Sequence, residues 1–168
     1  MLPRKIVAVL GVSETNSVFV AKQIAKTNTV LLFDRDTSVL NSVFSEIQTA
    51  NPNANVEKMI CPTNASWEAD IIVLSNDSVI DGNGINKIRN VATGKLVLFF
   101  ENAFTTDVES YSYKRVKDLF PFSKVVHVCK SKANPCDSFN VSGNDQEAVQ
   151  TVLKLLTSIG LKASAKKN

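Results

Sequence analysis

The sequence is poor in the residues from which most site chemistry is built. Its 168 residues hold one histidine, three cysteines, six glycines and one tryptophan. A lone histidine, His127, with no close cysteine pair leaves no ligand set of the usual zinc spacings. Cys61, Cys129 and Cys136 are odd in number and lack C-x-x-C spacing. They read as the reduced thiols of an intracellular chain, each a small apolar filler. No run approaches the ~20 apolar residues of a membrane span. The opening MLPRKIVAVLGVSETN has a basic start, yet its apolar part is too short for a signal peptide and lacks a small-residue cleavage site. A cytoplasmic location is the expectation.

Charge of one sign is scarce as well. There are 19 basic and 16 acidic residues, a net charge of +3. Three of the basic residues, Lys162, Lys166 and Lys167, fall in the last eight positions, where there is no acid, so the remainder is neutral at 16 against 16. A neutral body with no basic stripe and no interleaved aromatics argues against a nucleic-acid surface. Residues 161–168 read as a solvated basic tail. Residues 1–160 read as one domain, large enough to bury roughly 70% of its unfolded surface around a single core.

What the chain does have is concentrated in Lys5 to Asp36, KIVAVLGVSETNSVFVAKQIAKTNTVLLFDRD. Lys5–Leu10 and Val30–Phe33 are short continuous apolar runs, as expected of parallel strands covered on both faces. Between them Val18, Ala21, Ile24 and Ala25 recur at helical spacing, the crossover that a parallel pair requires. Gly11 therefore ends the first strand, and the helix amino terminus behind it favours a phosphate. Asp34 follows Gly11 at the distance where an acid can hydrogen-bond an adenosine ribose. The letters fit less well than the spacing. Where the G-x-G-x-x-G fingerprint has glycines, this chain has Gly11, Ser13 and Asn16, and Glu14 adds a negative charge. The hydroxyls of Ser13 and Thr15 and the amide of Asn16 are available as donors instead.

The remaining pattern alternates in the same way. Val39, Val43, Phe44 and Ile47 mark a helix over Ser38–Ala50, with Thr37 or Ser38 as its cap. Val56–Ile60 is a weak third strand, broken by Cys61-Pro62-Thr63-Asn64. A buried strand over Ile71–Leu74 ends in Ser75-Asn76-Asp77-Ser78. A short helix bearing Ile85, Ile88 and Val91 is closed by Gly94. The fifth strand, Lys95–Phe100, ends in Glu101-Asn102. A helix through Val116 and Leu119 stops at Pro121, strands follow at Lys124–Val128 and Phe139–Val141, and a periodic helix from Ala148 to Ile159 ends at Gly160. This is an α/β chain with a doubly wound, mainly parallel sheet in three layers.

In this order the pieces resemble the amino-terminal domain of the NADP oxidoreductases related to the deazaflavin (coenzyme F-420)-dependent NADP reductase. The resemblance is carried by KIVAVLG, the strand ending Asp34-Arg35-Asp36, ADIIVLS, GKLVLFFENAF, DLFPFSKVVHV and SFNVSGNDQEAVQTVLKLLTSIGLKA, and runs over nearly the whole chain. It implies a Rossmann-like sheet ordered 3-2-1-4-5-6 with one or two added strands, binding NADP or NAD across its carboxyl edge. The pyrophosphate would lie over Gly11, Val12, Ser13, Thr15 and Asn16, the adenosine ribose by Asp34 and Arg35, and the nicotinamide near Ser75, Asn76 and Asn102. Where the family carries a small residue before an arginine for the 2′-phosphate, this chain has Asp34 before Arg35, which leaves NAD and NADP both open. The family's proline-containing ends of the fourth and fifth strands read Ser75-Asn76-Asp77 and Asn102-Ala103 here. A homodimer is expected as one way to cover the open crevice.

Two functions follow from these residues. One is hydride transfer between a nicotinamide dinucleotide and an unidentified small-molecule or protein acceptor. The other is a non-catalytic binding or sensing domain acting through a protein partner. No residue declares itself catalytic. His127 sits inside an apolar strand and reads as a core histidine. Tyr113 and Lys117 have the Tyr-x-x-x-Lys spacing of short-chain dehydrogenases and read as an exposed helix face, while Glu101 and Asn102 read equally as crevice groups or as the start of a polar loop.

Overall fold

A computed structural model describes residues 3–13, 15–75, 82–101, 111–131 and 138–166. The described elements are β1 (Ile6–Leu10), α1 (Thr15–Ile24), β2 (Thr29–Phe33), α2 (Thr37–Ala50), β3 (Val56–Lys58), α3 (Pro62–Glu68), β4 (Ile71–Ser75), α4 (Gly82–Arg89), β5 (Leu96–Glu101), α5 (Tyr111–Leu119), β6 (Lys124–Lys130), β7 (Ser138–Gly143), α6 (Gln146–Ser158) and β8 (Lys162–Ala165). They build one eight-stranded sheet in the order β3-β2-β1-β4-β5-β6-β7-β8. The first six strands are parallel, β7 runs antiparallel to β6, and β8 is parallel to β7.

Strand alternation divides the core in two. Val7, Val9, Val30, Leu32, Ile71, Val73, Leu98 and Val128 face α1, α2 and α6, where Ile24, Val43, Ile47, Val152 and Leu156 meet them. From the other side of the same strands, Ala8, Leu10, Leu31, Ile72, Leu74, Val97 and Phe99 face α3, α4 and α5 through Ala65, Ile85, Ile88, Val116 and Phe120. Because helices cover both faces, the central strands are apolar at every position rather than at alternate ones. Among the described residues no helix is long and apolar enough to cross a membrane.

The sheet order and its added strands agree with the sequence. Three local features do not. The cap of α2 is Asp36, one residue before Thr37, because its Oδ1 accepts from the backbone N–H groups of Ser38 at 2.8 Å and Val39 at 3.3 Å. The Cys61–Asn64 stretch ends β3 but also opens α3, with Pro62 in the first helical turn, where its missing N–H costs nothing. At the other end of α3, the Lys95 ammonium donates to the carbonyls of Ser66, at 2.7 Å, and Trp67. A cation there answers the helix dipole. The basic end, read as solvated, forms β8: Ser138, Phe139, Asn140 and Val141 pair in register with Lys162, Ala163, Ser164 and Ala165. Its side chains remain largely exposed. The pairing is a matter of backbone, so it leaves no apolar pattern to read, and a short lysine-bearing strand blunts the sheet edge.

Candidate functional site

The carboxyl ends of β1, β2 and β4 converge with the starts of α3 and α4 on a cavity of about 300 Å³. This volume is at the small end of ligand pockets. Its walls divide by chemistry. Pro62, Leu74, Ile85 and Ile88 make an apolar slot, and Gly11, Ser13, Asp34, Arg35, Asp36 and Ser75 ring it with polar groups.

Gly11 makes the turn possible. Its φ is +82°, in the left-handed region that glycine enters without a Cβ penalty, and its N–H donates to the Phe33 carbonyl at 2.8 Å, tying the end of β1 to the end of β2. That tie brings Asp34 against the turn. Asp34 Oδ2 accepts from the Val12 N–H and from the Ser13 hydroxyl, both at 2.8 Å, and Oδ1 accepts from the Asp36 N–H at 2.9 Å. The half-buried carboxylate is thus held by three donors and fixed beside the slot. Val12 is fully buried, so it contributes its backbone and not its side chain. Thr15 begins α1 and Asn16 lies half-buried in its first turn. Ser75, 1% exposed, lines the inner wall of the cavity at the end of β4. Asn76 and Asn102, expected near the nicotinamide, and Glu14 lie outside the described residues.

The other candidates fall elsewhere. Glu101 is the last residue of β5 and only 4% exposed; its Oε2 lies 2.6 Å from Nε2 of His127, itself 1% exposed. It is therefore a buried strand residue and not the start of a loop. The imidazole is stacked between Phe99, at 5.8 Å between centroids, and Tyr113, at 4.8 Å. Burial pushes the His127 pKa below its ordinary value, against the opposing pull of the Glu101 carboxylate. Tyr113, expected on an exposed face, is 3% exposed in this stack, and Lys117 caps its ring with Nζ 4.9 Å from the centroid. The Tyr-x-x-x-Lys spacing here packs a cation over an aromatic ring. Cys129 is buried, as a filler should be, whereas Cys61 is half-buried at the head of α3. The backbone N–H groups of Asn64 and Thr63 face its sulfur and hold the thiol below its usual pKa. Among the described residues no group of three histidine, cysteine or acidic side chains is placed to hold a metal ion.

Sequence reasoning singled out most of the polar rim but missed the apolar wall. Pro62 was read as a strand breaker, and Ile85 and Ile88 as the buried face of a helix, which they also are. Only their position across from Asp34 makes them a slot.

A parallel sheet in the order 3-2-1-4-5-6, with helices on both faces and a cavity at its carboxyl edge, defines a Rossmann-type domain. No family model and no curated protein matches the sequence. Solved structures do match. A candidate coenzyme F-420-dependent NADP reductase from Arthrobacter sp. FB24 superposes with a TM-score of 0.69 at 21% identity, over 96% of this chain and 84% of that one. A diketoreductase gives 0.73 at 16% identity, over 100% of this chain and 66% of its own. Pyrroline carboxylate reductase of Plasmodium falciparum, solved with NADP bound, gives 0.65 at 17% identity. There 99% of this chain covers 59% of that enzyme. The chain has the fold of NAD(P)-dependent reductases and dehydrogenases, and at these identities the likeness is one of fold.

Proposed function

We propose that the chain binds a nicotinamide dinucleotide at the carboxyl edge and serves hydride transfer between it and an acceptor. The observation that carries this reading is the juxtaposition of the apolar slot with a carboxylate pinned at its mouth. Pro62, Ile85 and Ile88 offer an adenine ring the dry faces it needs, and Asp34 offers acceptors to a ribose diol. The residues present fit the adenosine half of the cofactor well. They fit the pyrophosphate less well, since Ser13 replaces a glycine and Asp34 already takes the Val12 N–H.

The dinucleotide supplies the hydride chemistry when bound; the chain's own residues bind and orient it. Two carboxylates, Asp34 and Asp36, and one guanidinium, Arg35, stand in the cavity wall. A dianionic 2′-phosphate would meet net negative charge there, so NAD(H) is the preferred form. The occupied donors of the turn favour a second reading, a binding or sensing domain without turnover, in which the nucleotide is held mainly by its adenosine half.

Calorimetric titration with NADH and NADPH in parallel tests both. Saturable binding of NADH, lost in Ser13→Trp, is expected. Heat from neither cofactor at millimolar concentration would overturn the assignment, and binding without oxidation of NADH by any of a panel of carbonyl and imine acceptors would leave the sensing reading standing.

A further inference from the structure

A second cavity opens on the opposite edge of the sheet. It lies where the segment before β1, the turn between α1 and β2, the start of β4 and one face of α6 come together, and its volume is about 700 Å³, more than twice that of the cavity at the carboxyl edge. Four cations line it, Arg4, Lys5, Lys26 and Lys154, and no carboxylate does. Among the described residues none of the four is in an ion pair with an acid. Asp70, beside the lining residue Ile71, is turned onto the Ile6 N–H at 2.9 Å.

The scaffold beneath the cations is fixed. Asn28, 8% exposed, accepts from the Lys5 N–H at 3.1 Å through Oδ1 and donates to the Thr27 hydroxyl at 3.0 Å through Nδ2, while the Thr29 N–H returns to the Lys5 carbonyl at 3.0 Å. Lys5 and the turn carrying Lys26 are therefore stapled together at the mouth. Opposite them Thr151, Lys154 and Ser158 follow at three- and four-residue spacing, which places them on one face of α6. Ile71 and Leu155 supply an apolar floor.

We infer that this amino-edge cavity is a binding site for a small molecule bearing an oligophosphate. Four like charges around one concavity repel one another and raise the local potential, and an anion of several charges relieves both. A guanidinium suits phosphate oxygens bidentately and ammonium groups add point charges, while the Thr151 and Ser158 hydroxyls already donate to the carbonyls of Glu147 at 2.9 Å and Leu155 at 2.7 Å, so the recognition is left to the cations. The floor leaves room for an uncharged part of the ligand. This site shares no residue with the carboxyl-edge cavity, and it stands or falls independently of the dinucleotide reading.

The test titrates the full chain with inorganic tripolyphosphate at about 150 mM salt, where exposed charges at long range are screened. One saturable site is expected. Lys26→Glu/Lys154→Glu should weaken it by about tenfold or more, and the milder Arg4→Gln, at an exposed position near the chain start, by a few-fold. Lys58→Glu/Lys114→Glu, an equal change of net charge on other surfaces, and Ser13→Trp should leave it within about twofold. Absence of saturable binding overturns the inference. So does an equal loss in both charge-reversed variants, which would mean unspecific attraction, or a loss in Ser13→Trp, which would put the anion at the nucleotide cavity. Citrate binding as tightly as tripolyphosphate would overturn the oligophosphate class.

Discussion

The two edges of the sheet are built by opposite rules. At the carboxyl edge the polar groups are held within the protein: Asp34 accepts from three donors, and Asp36 caps α2, beside a dry slot. At the amino edge the backbone is pinned while four cations, of which Lys26 also donates to the Gln23 side chain at 2.6 Å, surround a wider cavity with no carboxylate in its wall. The first arrangement discriminates by shape and by a net negative wall of Asp34, Arg35 and Asp36. The second attracts by field, with little directional constraint. The comparison teaches that the charge of this domain is displayed by residues outside the strands: the segment before β1, the turn after α1 and one face of α6.

The largest effect is expected from the layer the two edges share. His127→Ala takes away the hydrogen-bond partner of the buried Glu101 side chain and empties the space of the ring stacked between Phe99 and Tyr113, a loss of about 3–5 kcal/mol of stability by urea unfolding. If the edges are independent sites, the folded fraction of this variant keeps the ligand preference of each. Next comes Ser13→Trp, whose side chain enters the carboxyl-edge cavity; NADH affinity should fall about 100-fold while tripolyphosphate binding stays, as read by calorimetry. Asp34→Asn removes the fixed charge and keeps an acceptor. The ratio of NADH to NADPH affinity should fall about tenfold. An unchanged ratio would show that Asp34 serves the turn alone and that the carboxyl edge does not select by charge.

The smallest effect is a pH dependence. The His127 pKa is lowered in the fold by burial, with Lys166 adding to the effect and Glu101 opposing it. As pH falls through the ordinary histidine range near 6.5, the unfolded chain therefore takes up a proton that the folded chain resists. Stability is present above that range and is lost below it, by at most about 1.4 kcal/mol per pH unit. Urea unfolding at pH 7.5, 6.5 and 5.5 should show the slope in the wild type and a flatter one in His127→Gln.

Much of this was legible in the sequence. The strands β1, β2, β4 and β5 announce themselves because a strand covered on both faces must be apolar throughout, and that composition is local. Gly11 and Asp34 were legible because a left-handed turn and an acid one strand later are matters of spacing. The α3 helix was not, since Pro62 both breaks a strand and begins a helix, and seven residues are too few for periodicity to separate the two. The β8 strand was hidden because Lys162, Ala163, Ser164 and Ala165 pair through backbone groups that every residue has.

By itself, then, the sequence determined the class of fold, the order of its central strands, and the glycine turn and following acid, Gly11 and Asp34, at the carboxyl edge, since apolar periodicity and turn chemistry act between near neighbours. Tertiary structure alone decided that Glu101 meets His127 across 26 residues, that Tyr113 is buried, and that Arg4, Lys5, Lys26 and Lys154 gather around one cavity. Such meetings depend on strand register and on which helix face turns outward. Both are fixed by packing between segments far apart in the chain, where composition carries no trace of them.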